Sequence, residues 1–115
     1  MFGTREVNRM PFTSLIQFKV KPGEQTAFEA AFVKTGMLTR PKSVAGFLGA
    51  ELIQSNTSTL EYCVVGKWET EQSYTDWQAI ATATTDVDAL SDLIGTLVDP
   101  APGQLFRTVH SSLES

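Results

Sequence analysis

The chain has 115 residues, 42% of them hydrophobic and 19% charged, with a formal net charge of −4. That is the size and balance of one globular domain, and it argues against a disordered or fibrous chain. No basic stripe interrupts the acidic balance, so no nucleic-acid partner is expected; no apolar run approaches the roughly 20 residues that cross a bilayer, so no membrane partner is expected either.

Residues 1–12 are polar, without the apolar core of a signal peptide, and read as an arm before the fold of a cytoplasmic protein. Thr13 to Val20 alternates as a first strand, with Ile16, Phe18 and Val20 on one face and Leu15, Gln17 and Lys19 on the other. Lys21-Pro22-Gly23 ends it, with Pro22 suited to the first turn of a helix. Glu24 to about Leu38 carries Phe28, Ala31, Phe32, Thr35 and Leu38 at helical spacing. Arg40 to Ser43 reads as a loop.

Gly46 to Gln54 and Leu60 to Glu69 read as a hairpin of two strands around the polar turn Ser55 to Thr59. Asn56-Thr57-Ser58 fits the glycosylation pattern but sits where a turn is needed. In the third strand Tyr62, Val64, Gly66 and Trp68 share one face, and Cys63, Val65 and Lys67 the other. Gly66 leaves room for a neighbour to approach closely. Cys63 is the only cysteine, which excludes an intramolecular disulfide and thiolate metal clusters, and its strand position suits a small buried hydrophobe.

Thr70 is the expected N-cap of a second helix holding Tyr74, Trp77, Ile80 and Ala81, whose weakly patterned end, Ala79 to Thr85, is expected to fray or bend. Asp86 caps a further helix with Val87, Leu90, Leu93, Ile94, Leu97 and Val98 as its apolar stripe, closed by Asp99-Pro100-Ala101-Pro102-Gly103. Leu105 to His110 is the fourth strand, and residues 111–115 form a polar tail. The order is β-α-β-β-α-β with a split second helix: an α+β, ferredoxin-like domain over residues 13–110, built on a four-stranded antiparallel sheet. The outer sheet face, with Leu15, Gln17, Lys19, Cys63, Val65 and Lys67, is too apolar to be wholly solvated. A second copy packed there would give a homodimer.

Three segments together resemble the antibiotic biosynthesis monooxygenase family of dimeric α+β barrels. They are Val20-Lys21-Pro22-Gly23 leading to Phe28-Glu29, Gly46-Phe47-Leu48-Gly49, and Val64-Val65-Gly66-Lys67-Trp68-Glu69-Thr70 followed by Tyr74 and Trp77. The resemblance covers about residues 14–109. It implies a cofactor-independent monooxygenase that oxidises a small phenol- or hydroquinone-type aromatic compound with O₂, in a pocket between sheet and helices. It also implies that Trp68 gives its indole N–H to a substrate oxygen, that Tyr74 donates or relays a proton, and that Trp77 walls the cavity, with Phe18 and Phe32 lining it. Packing alone also accounts for aromatic residues at these inward positions. A non-catalytic barrel that binds a small hydrophobic ligand is one alternative, and a haem-binding or haem-degrading relative that holds haem through a non-histidine ligand is another.

A haem-degrading branch of the family needs a histidine on the second helix. This chain has only His110, near the end of the last strand, with Trp77 and Gln78 where that ligand would be sought. The acidic groups Asp86, Asp88 and Asp92 fit capping and solvation better than metal binding, and no metal site is expected. No glycine-rich phosphate loop is present, so no nucleotide cofactor is expected.

Overall fold

Strand β1, Phe12–Lys19, lies at the centre of the domain and buries the inward positions Ser14 and Phe18. The computed structural model describes residues 11–112; most of the expected N-terminal arm and the end of the tail lie outside them. Lys21-Pro22-Gly23-Glu24 makes a turn closed by Glu24 N–H to Lys21 O at 3.0 Å, with Gly23 at φ 82°. Proline at the second position and glycine at the third suit such a turn. Pro22 therefore belongs to the turn and not to the helix, which begins later.

Helix α1, Gln25–Thr35, stops short of the expected Leu38 because Gly36 takes a left-handed conformation and caps it. Phe28, Ala31, Phe32 and Thr35 form its buried side. Arg40–Ser43, expected as a loop, is a 3-10 turn that buries Pro41. Strands β2, Phe47–Gln54, and β3, Glu61–Trp68, pair antiparallel.

Helix α2, Glu71–Thr84, is one continuous helix where fraying was expected. Thr70 caps it by accepting from Ser73 N–H at 3.0 Å. Helix α3, Val87–Gly95, is capped by the Asp86 carboxylate, which accepts from Asp88 N–H and Ala89 N–H. Its expected stripe is only partly buried: Leu93 and Leu97 are inside, whereas Val87, Ile94 and Val98 are exposed. Strand β4 is shorter than expected, Gln104–Arg107.

The four strands run in the order β2-β3-β1-β4, each neighbouring pair antiparallel. This is the ferredoxin-like arrangement that the order of elements implies. Phe18 and Val20 from β1 and its end meet Phe28 and Phe32 from α1, Tyr62 and Val64 from β3, and Leu93 and Leu97 from α3 and its end. The Phe28 ring lies 5.2 Å from Phe18 and 4.6 Å from Tyr62, centroid to centroid. Each such buried aromatic contributes roughly 1.5–3 kcal/mol by leaving water.

A bulge shapes β2. Phe47 pairs with Trp68 and Gly49 with Lys67, so Leu48 is an extra residue. Without it Phe47 and Ala50 would face opposite sides of the sheet. With it both turn inward, and Gly49 takes φ 147°, a conformation open to glycine. Among the described residues no helix is long and apolar enough to cross a membrane.

Candidate active site

Between α2 and the inner face of the sheet lies a cavity of about 260 Å³. Its floor is Ser14 and Ile16 of β1, Ala50 of β2, and Val64 and Gly66 of β3. Phe47, Trp68, Tyr74 and Trp77 supply aromatic walls, and among the described residues no charged side chain lines it. Gln78, Thr82 and Gly103 line it and are exposed, which marks its open side.

Trp68 is 2% exposed, and its ring lies 5.1 Å from Phe47 and 5.5 Å from Tyr74 in an edge-to-face arrangement. Its indole N–H, expected to serve a substrate, donates to Ser14 Oγ at 2.9 Å. That bond needs Gly66. A Cβ on residue 66 would stand 2.7 Å from Ser14 Oγ and 3.0 Å from the Trp68 indole nitrogen. Two small inward positions, Ser14 and Gly66, are paired across adjacent strands and give the cavity its depth. With its oxygen accepting from Trp68, Ser14 retains its own hydroxyl proton as a donor toward the cavity.

The Tyr74 hydroxyl accepts from Gln78 Nε2 at 3.2 Å. Burial pushes the Tyr74 phenol above its ordinary value, so near neutral pH it carries its proton. Trp77, one helical turn along, carries Arg40 against its ring, with the guanidinium carbon 5.3 Å from the centroid.

The cavity thus brings together Trp68, Tyr74 and Trp77. Phe18 and Phe32, expected in the same pocket, do not line it; both sit in the core, Phe32 with no exposed surface. An inward-facing strand or helix position does not by itself distinguish core from cavity. Phe18 instead touches a larger, more open hollow of about 490 Å³ at the Ser55 end of the sheet, lined by Lys19, Glu61, Cys63 and Asp99 among others. That hollow lacks all three aromatic residues of the site beneath α2. Ser14, Phe47 and Gln78 were not expected to line the site. The inward alternation of Ile16, Phe18 and Val20 extends back to Ser14 and is a signal for it, whereas Phe47 depends on the bulge.

Cys63 lies on the outer face, where burial raises its pKa and a backbone hydrogen bond from Ile16 partly offsets the rise; the thiol stays protonated. Among the described residues no group of three or more histidine, cysteine, aspartate or glutamate side chains is placed to hold a metal ion.

Comparison with solved structures supports the same fold. A cofactor-independent oxygenase from Streptomyces nogalater, SnoaB, superposes with a TM-score of 0.67 at 18% identity over 91% of this chain and 99% of that one. A dimeric ferredoxin-like protein from an uncultured marine organism gives 0.72 at 11% identity, covering 98% of this chain and 100% of that one. A conserved protein from Methanosarcina mazei gives 0.69 at 13% identity, covering 88% and 95%. No curated protein matches the sequence. The family model described as antibiotic biosynthesis monooxygenase matches residues 11–84, which include β1 to β3 and nearly all the cavity-lining residues, and on that match the chain belongs to the antibiotic biosynthesis monooxygenase family.

Proposed function

We propose that two copies of this chain, joined through their outer sheet faces, form a cofactor-independent monooxygenase for a small phenol- or quinol-type aromatic compound. The observation that carries this reading is an uncharged cavity walled by Trp68, Tyr74 and Trp77 in a chain of the monooxygenase family. A flat substrate stacks among these rings, out of water. Ser14 and Tyr74 present hydroxyl protons to its oxygen atoms and hold it as the reacting anion forms.

The substrate supplies the electrons. For an anthrone-type compound the balance closes without a co-reductant: a ring CH₂ becomes C=O, one atom of O₂ remains in that carbonyl, and the other leaves as water with the two hydrogens. The protein's part is to bind, orient, exclude water and deliver the proton.

Oxygen uptake with a panel of hydroquinones, naphthols and anthrones tests the proposal. Turnover of at least one naphthol or anthrone is expected, with ¹⁸O from O₂ in the new carbonyl; a hydroquinone oxidised to its quinone without ¹⁸O uptake does not count as monooxygenation. Tyr74→Phe should lower kcat by about 10²-fold, the lower range for a positioned proton donor. Trp68→Phe should lower it as well by freeing the Ser14 side chain. If panel members bind and none is oxidised, the chain is a binding barrel and not an oxygenase.

A further inference from the structure

Arg40 is a cation beside a cavity whose lining, among the described residues, carries no charge. Its guanidinium donates to Thr35 O at 3.0 Å and Thr85 Oγ1 at 3.3 Å, bonds Thr84 Oγ1, and packs against Trp77. Thr85 and Trp77 line the cavity, as do Met37 and Pro41 on the segment that carries Arg40. Among the described residues every acceptor Arg40 meets is neutral.

Among the described residues no carboxylate bonds the Arg40 guanidinium. From residue 30 to residue 50 the chain contains Lys34, Arg40 and Lys42 and no acid. From Trp77 to Thr85 helix α2 and its cap contain no charged residue at all. The acids that flank this stretch of α2 bond groups other than Arg40: Asp86 accepts from Asp88 N–H and Ala89 N–H, and Asp76 accepts from Gln72 Nε2 at 2.8 Å. In a half-buried position the field of such a cation is screened less than at the surface, and it extends into the adjoining uncharged space.

We infer that Arg40 makes this cavity selective for an aromatic ligand carrying a negative charge, a carboxylate or an ionised phenol, with the anionic group at the Thr85 end. Arg40 is a specificity-determining residue that acts through space and through the side chains it orients. The inference takes the cavity from the proposed function as a ligand site, and it does not depend on oxidation.

The test measures affinity for two isosteric probes, 2-naphthoate and the neutral 2-naphthamide, by titration of the full chain. Wild-type protein should prefer the naphthoate by about tenfold, the scale of one unit charge at a distance of several ångströms under intermediate screening. Arg40→Lys, which keeps the charge, should retain most of that preference. Arg40→Met should bring the ratio to about one. Because each ratio is taken within one variant, loosening of the helix ends affects both probes alike. A ratio near one in the wild type, or an unchanged ratio in Arg40→Met, overturns the inference while leaving the aromatic cavity standing. If neither probe binds, the cavity as a ligand site and the inference fall together. A preserved charge preference with no oxidation of any phenol counts against the oxygenase alone.

Discussion

At Gly66 the absence of a side chain decides how the cavity is built. A methyl group there meets Ser14 Oγ and the Trp68 indole nitrogen, both neighbours close to 3 Å or nearer. Gly66→Ala should therefore break the Ser14–Trp68 hydrogen bond and destabilise the fold by about 1–3 kcal/mol through overpacking. Chemical denaturation measures the loss, and Trp68 emission reports the changed ring environment; an unchanged midpoint and spectrum would contradict this account. The need for a small residue at this position is readable in the sequence, because a glycine within a strand of otherwise large inward residues signals close approach. The partner it admits is not readable, since Ser14 lies 52 positions away and meets Gly66 only through strand pairing.

Between elements, Tyr62 is the tie. Its hydroxyl donates to Glu29 Oε2 of α1 at 2.5 Å and accepts from Gln54 Nε2 of β2 at 3.1 Å. Burial first, and then the Glu29 carboxylate, push its pKa from 10.0 up to about 12. The folded chain then holds a proton that the unfolded chain releases above pH 10. This contribution to stability is fully present below pH 10 and is lost as pH rises toward 12. Tyr62→Phe should cost about 1 kcal/mol at neutral pH and flatten the decline between pH 10 and 12, as followed by denaturation at stepped pH. A decline as steep as in the wild type would remove Tyr62 as its cause.

The elements themselves are legible to within a few residues, because Thr70 and Asp86 are side-chain caps and alternation marks the strands. The end of α2 is where the reading fails. Its weak apolar pattern suggests fraying, yet alanine favours helix intrinsically. Thr84 also bonds Ile80 O at 2.7 Å, and Arg40 fastens Thr84 and Thr85 from a different element. A long-range tether of that kind leaves no periodic trace.

At the scale of the whole molecule, helices cover one face of the sheet, and among the described residues none covers the other. Leu15, Cys63 and Val65 are half-buried on the bare side, and Ile53 and Phe106 are 47% and 46% exposed there. A second copy laid against this face would remove that surface from water. Sedimentation should give twice 12.6 kDa for the wild type. Val65→Asp, on the face away from the core, should give the single mass with its circular dichroism unchanged. A wild-type chain that sediments as one copy would rule out the paired assembly.

The extra residue at Leu48 has a consequence for how copies meet. A sheet grows sideways only where an outermost strand offers an even ladder of free amides and carbonyls. On one flank the kink at Leu48 and Gly49 interrupts that ladder; on the other β4 is only four residues long. Both flanks are poor templates for an incoming strand, so the pairing proposed above would use the broad flat side, where a two-fold contact closes after a single partner and would not propagate into a fibre.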